Sequence, residues 1–254
     1  MSDCILAETD SRGIATLILN RPEKANSYSY AMLDSLASHF ERLGSDEKVR
    51  AIVLRGAGRH FSAGADMAGA EPATPGSRGI YQICCLIDET RRPTVALVQG
   101  ACVGGGMALA ACCDIVLAER KAFFSIPEVR FGFTPGPLSL VFARAIGMRQ
   151  FRRYAQTGQR FSAEEAHRMG FVHQLCDPDA LEKALHEQLE ELLLAAPNAA
   201  RSAKAIALRL VSPAGGGLAA QLQAEFIQSR TSTEAEEGTA SFREKRQPGW
   251  YRGQ

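Results

Sequence analysis

Gly100-Ala101-Cys102-Val103-Gly104-Gly105-Gly106-Met107-Ala108 follows the apolar, β-like run Thr94–Gln99 and opens directly into a helix-like stretch, Gly105–Cys112. A strand that ends in glycines and turns straight into a helix leaves backbone N–H groups pointing outward rather than into a ladder. Upstream, Phe61-Ser62-Ala63-Gly64-Ala65-Asp66 follows a second buried run, Ala51-Ile52-Val53-Leu54, which ends at Gly56. Two such N–H groups converging on one carbonyl oxygen form an oxyanion hole. A carboxylate follows in Ile126-Pro127-Glu128.

Outward from these segments, strands and helices alternate. Cys4–Thr9 and Ile14–Leu19 flank the Asp10–Gly13 turn and read as a hairpin. Ser29–Leu43 has helical spacing and stops at Gly44, and Asp114–Ala118 reads as a further strand. The Gly-, Pro- and Ala-rich stretch 70–79 reads as a surface loop. From about Gly136 the pattern turns helical. Ser162-Ala163-Glu164-Glu165 is a capping box with Gly170 as its stop, and Leu181–Ala195, Ala199–Leu210 and Leu218–Gln228 follow, broken at Pro197 and at Pro213 with Gly215–Gly217. The alternation predicts a layered α/β core over 1–195 and a helical region over 196–254 that packs on the core or on another subunit.

With 254 residues the chain is long enough for a substantial core. Its formal charge of +1 supplies no global field for nucleic acid or an anionic membrane, so any anionic ligand needs a local site. No apolar stretch approaches the ~20 residues that span a bilayer. Met1-Ser2-Asp3-Cys4 lacks the basic and apolar regions of a secretion signal, so a cytoplasmic location is expected. The seven cysteines include the adjacent pairs Cys84-Cys85 and Cys112-Cys113, which lack metal or redox spacing and read as buried thiols. The histidines form no metal-ligand pattern, and there is no Walker loop, dinucleotide fingerprint or nucleophile elbow.

Six segments in one order resemble the crotonase (enoyl-CoA hydratase/isomerase) superfamily. They are Asn20-Arg21-Pro22-Glu23-Lys24-Ala25-Asn26, Phe61–Asp66, Gly100–Gly106, Cys113-Asp114-Ile115, the stretch carrying Pro127-Glu128, Gly132 and Pro135-Gly136, and Phe242-Arg243-Glu244-Lys245-Arg246. The resemblance implies a spiral of β-β-α units with a helical C-terminal trimerisation region, giving a homotrimer or a dimer of trimers. It implies an acyl-CoA thioester substrate, with coenzyme A entering as part of that substrate and no separate cofactor, metal or nucleic acid. Ala65 and Gly105 become the oxyanion donors and Glu128 the acid/base. Lys24, Ala25, Ala63, Asp66, Gly104, Ala108, Gly136, Phe242 and Lys245 become the expected substrate-binding residues, with Asp66 read as a brace of its turn.

The family's hydratases use two glutamates, and the first falls at Ala108, which can neither hold a water by charge nor accept a proton. One carboxylate suffices for a 1,3-proton shift, as in the family's Δ3,Δ2-enoyl-CoA isomerases. Phe124, Ile126, Phe131 and Phe133 around Glu128 are expected to raise its pKa by desolvation toward the range a general base needs. Enoyl-CoA isomerisation is therefore the leading reading. Hydration by a modified one-glutamate site and non-catalytic acyl-CoA binding are the alternatives. Hydrolytic dehalogenation lacks its aspartate at Pro135-Gly136.

Overall fold

A run that is apolar at nearly every position, as Ala51–Gly56 is, belongs to a strand covered on both faces. The computed structural model, which describes residues 3–69, 75–211 and 217–246, places this run (β3) inside a six-stranded sheet. Its order is β1 (Ile5–Thr9), β2 (Ile14–Leu19), β3, β4 (Thr94–Val98), β6 (Ile115–Glu119) and β9 (Gln174–Cys176). The β1–β2 pair is the antiparallel hairpin expected from the sequence, and every later pair is parallel, with Ala15 beside Ile52, Ile52 beside Thr94 and Val95 beside Ile115. Side-chain alternation sorts the strands' residues between two cores. Ile52, Leu54, Ala96 and Val98 join the larger one, while Ala51, Val53, Val95 and Leu97 pack on the opposite face.

A second, three-stranded sheet is built from β5 (Ala101–Val103), β7 (Phe123–Ser125) and β8 (Phe161–Ser162). β5 follows closely on β4, and β7 on β6. Ser62, downstream of β3, bridges Cys102 and so takes the same place one turn earlier. The repeated path from strand to short strand to helix is the spiral. Its inner helices are α1 (Tyr30–Ser45), α2 (Ile80–Glu89) and α3 (Gly105–Ala111). Helix α1 starts where Ser29 Oγ accepts from Met32 N–H, and it buries Met32, Leu33, Leu36, Ala37, Phe40 and Leu43 along one stripe. It runs through Gly44 to Ser45 rather than stopping at the glycine.

The remaining helices are α4 (Leu138–Thr157), α5 (Ala163–Arg168), α6 (Leu181–Leu194), α7 (Pro197–Val211), α8 (Gly217–Arg230) and α9 (Thr233–Glu244). Ser162 caps α5 by accepting from Glu165 N–H at 3.2 Å. Pro197 begins α7, a first-turn position where its missing N–H costs nothing. The expected break at Pro213 and its following glycines falls in 212–216, outside the described residues, with Gly217 opening α8. The tail helices pack on the core of their own chain. Lys204 on α7 reaches Asp114 Oδ2 at 2.7 Å, and Phe242 on α9 meets the Phe131 ring edge-on at 5.2 Å. All seven cysteines are free thiols, and among the described residues no helix is long and apolar enough to cross a membrane.

Candidate active site

One wall of the site is two chain segments zipped side by side. Asn26 is fully buried; its Oδ1 accepts from Arg21 N–H, and its Nδ2 donates to the carbonyls of Ala57 and His60. Ser62 Oγ donates to Asn26 O, Ala63 N–H to Ala25 O, and Tyr28 N–H to Gly64 O at 2.8 Å; Asp66 N–H returns to Tyr28 O at 3.0 Å. Ala65 lies between these bonds, and among the described residues its own N–H has no acceptor.

Asp66 secures the zipper from outside. Its Oδ2 accepts from Arg21 Nη2 at 2.8 Å and Lys24 Nζ at 2.9 Å, and its Oδ1 accepts from Gly69 N–H. Burial alone would raise the Asp66 pKa, but the hydrogen bonds from Lys24, Arg21 and Gly69 outweigh it and hold the carboxyl below its ordinary value. Asp66 is thus a brace and Lys24 is committed to it.

The second wall is the start of α3. Gly104 adopts φ 52° and ψ −127°, a conformation that a side chain would strain. A Cβ there would also stand 3.2 Å from Glu128 Oε1, and one at Gly105 would fall 2.2 Å from Tyr28 Oη. Only glycine fits at 105 while the phenol lies against it. Gly105 N–H, at the first turn of the helix, has no acceptor among the described residues. The walls meet through the Ser62–Cys102 bridge, and the place a Cβ would take on Gly64 is 3.7 Å from Gly105 N.

Glu128 opens a short 3-10 turn, Glu128–Phe131, on which α9 packs. It is 8% exposed, and its Oε2 has no hydrogen-bond partner among the described residues. Burial pushes its pKa up to about 7, with only its own backbone opposing. Phe131 and Phe133 wall the adjoining space, whereas Phe124 and Ile126 are fully buried.

These groups border one cavity of about 610 Å³. Of the residues expected from the sequence, Ala63, Ala65, Gly104, Gly105 and Glu128 line it. Lys24, Ala25, Asp66, Ala108, Gly136, Phe242 and Lys245 do not. Ala25, with a left-handed φ of 50°, holds Ala63 through its carbonyl. Gly136 sits between cavity-lining Pro135 and Pro137 with its back to Phe226. Phe242 is half-exposed against Phe131, and Lys245 is an exposed residue ending α9.

Ala108 requires a correction in physical terms. It is 0% exposed in the core, not at the substrate surface. Helical side chains lean toward the helix N-terminus, so a longer one at Ala108 would run over Gly105, where the Tyr28 phenol now lies. Tyr28 lines the cavity, and its hydroxyl has no hydrogen-bond partner among the described residues. Burial, reinforced by the Glu128 charge, pushes its pKa well above that of a free phenol, so the group is a neutral donor. Sequence reasoning missed Tyr28, and also Tyr30, Gln223, Phe226 and Arg230, which line the cavity too. Tyr28 follows the Asn26 signature by two positions, but no local pattern marks it. The α8 residues carry no motif.

The family model for enoyl-CoA hydratase/isomerase matches residues 9–253. The chain is 30% identical to the enoyl-CoA hydratase ACTT6 of Alternaria alternata over 91% of this chain and 78% of that one. Among solved structures it resembles an enoyl-CoA hydratase from Mycobacterium avium, with TM-score 0.88 and 28% identity over 99% of this chain and 100% of that one. It also resembles an enoyl-CoA hydratase/isomerase from Pseudoalteromonas atlantica, with TM-score 0.85 and 26% identity over 98% and 100%. A match over nearly the whole chain, on a spiral that carries two glycine-bearing segments and a buried glutamate to one cavity, has one meaning: the chain belongs to the enoyl-CoA hydratase/isomerase family of enzymes.

Proposed function

We propose that the protein moves the double bond of an enoyl-CoA thioester, with Glu128 as the single proton carrier. The observation that carries this reading is the cavity's charge inventory: among the described lining residues Glu128 is the one carboxylate, and it is buried with its Oε2 unpartnered. The thioester oxygen sits between Ala65 N–H and Gly105 N–H, donors worth ~3 kcal/mol each to an enolate-like transition state. Glu128 takes the proton from C2, the C3–C4 double bond shifts to C2–C3, and the same proton returns at C4. Atoms and charge balance with no co-reactant, and coenzyme A arrives with the substrate. A pKa of about 7 lets the carboxylate both accept and return the proton near neutral pH. The Tyr28 hydroxyl, lying on Gly105, donates toward the oxyanion and fills the space that a second carboxylate at position 108 would need.

The relatives' names favour hydration as the competing reading. Incubating the protein separately with 3-hexenoyl-CoA and 2-hexenoyl-CoA, with products identified by mass and NMR, separates the two. A moved double bond at unchanged mass supports isomerisation. Gain of one water from the 2-enoyl ester, with no isomerisation, replaces that reading by hydration. Assembly as a trimer or dimer of trimers belongs to the same reading, and exposed Ile227 and Phe242 on the tail helices are apolar surface suited to it.

A further inference from the structure

Arg230 is the one cation lining the cavity among the described residues. Its guanidinium stands 5.6 Å from the Phe133 ring centre and 5.9 Å from that of Phe226, rings that themselves wall the cavity. Cation–π contacts of this kind hold a guanidinium in place without neutralising it. No carboxylate among the described residues pairs with Arg230, although the chain pairs many of its other arginines, including Arg12, Arg21, Arg55, Arg144 and Arg246. Gln223 and Phe226 come to the cavity from the same helix, so this face of α8 presents an amide, a ring and a cation.

Arg230 reaches the cavity from α8, whereas Glu128 reaches it from the turn Glu128–Phe131, so the cation and the proton-carrying carboxylate enter from different elements. A wholly hydrocarbon acyl chain gives such a group nothing to bind, and laying one over it would desolvate an unpaired charge. A carboxylate matches it, because the guanidinium fork donates two parallel hydrogen bonds to one anionic group.

We infer that the enzyme takes acyl-CoA thioesters whose acyl chain carries a second carboxylate, and that Arg230 is the residue that binds it. This rests on the acyl-CoA reading above but not on which reaction follows. The alternative source of negative charge is a phosphate of coenzyme A itself, and the test distinguishes the two.

Hexanoyl-CoA and adipoyl-CoA have the same chain length, differ by the terminal carboxylate, and have no double bond to move. Calorimetric titration of the wild-type protein is expected to show adipoyl-CoA binding at least tenfold tighter, on the order of one charge-assisted pair. Arg230→Gln is expected to close that gap, and Arg230→Lys to restore part of it. Equal binding of the two esters by the wild type overturns the inference and leaves the acyl-CoA reading standing. Equal weakening of both esters in Arg230→Gln overturns it in favour of a coenzyme A phosphate. Binding of neither ester overturns the inference together with the acyl-CoA reading beneath it.

Discussion

Replacing Glu128 by glutamine should stabilise the protein by an amount that depends on pH. The native carboxyl lies 8% exposed with Oε2 unpartnered and titrates at about 7, against 4.5 for an ordinary glutamate. The folded chain therefore holds this proton more tightly than the unfolded chain does. Below about pH 4.5 both states are protonated and the group leaves stability untouched. Between 4.5 and about 7 the unfolded state ionises first, so stability falls as pH rises; above that window the full cost is present. A shift from 4.5 to about 7, at about 1.4 kcal/mol per unit, comes to about 3.5 kcal/mol at its full extent. Glutamine keeps the shape without the charge. Chemical denaturation of both proteins at about pH 4.5 and about pH 8 should show the variant's relative stability growing by about 3 kcal/mol between the two conditions. A relative stability that is the same at both pH values would refute the buried, unpartnered carboxylate. In the proposed isomerisation the same ionisation governs turnover: kcat/KM should rise with pH along a limb centred near about 7, because that reaction needs Glu128 as the carboxylate.

Two further outcomes follow from the packing. Ala108→Glu places a charged side chain into the space over Gly105 held by Tyr28; it should destabilise the fold by roughly 1–3 kcal/mol and give no hydration of 2-enoyl-CoA. Adding Tyr28→Ala should open that space and allow hydration to appear; hydratase activity in the single variant would show that Tyr28 does not block it. Asp66→Asn removes the anion that Arg21 and Lys24 share, which should cost roughly 1.5–3 kcal/mol at pH 7 by thermal unfolding. Because the Asp66 pKa is lowered, its contribution is present above the ordinary aspartate value of 3.8 and lost as pH falls below it. Wild type and variant should therefore converge in acid, and an equal gap at about pH 3 would contradict the ion-pair account.

Much of this architecture was legible because it is written locally. The continuous apolar runs at Ala51–Leu54 and Thr94–Gln99 could only be buried strands, and the glycines after them marked where backbone N–H groups leave the ladder. Glu128 and its rising pKa were foreseeable from the aromatic residues around it, although of these only Phe131 and Phe133 share its cavity, while Phe124 and Ile126 turn into the core. Helix α2 escaped because its N-cap is Gly79, whose missing side chain gives no start signal, while Gln82 reaches back to the Gly79 N–H. Lys24 looked free for the substrate because nothing nearby in sequence shows that Asp66, brought alongside by the zipper, takes its charge. Tyr28 and Arg230 were invisible for a related reason. Their roles are set by what lies across the cavity (Gly105 for one, Phe133 for the other), and a single sequence carries no record of such pairings.

The central claim is that one buried glutamate shuttles the proton. Its most direct test follows 3-hexenoyl-CoA by NMR with the wild-type protein and with Glu128→Gln. The wild type should convert it to 2-hexenoyl-CoA, and the variant should do so at a rate lower by roughly 10²- to 10⁴-fold. A variant that isomerises within a few fold of the wild type would contradict that claim.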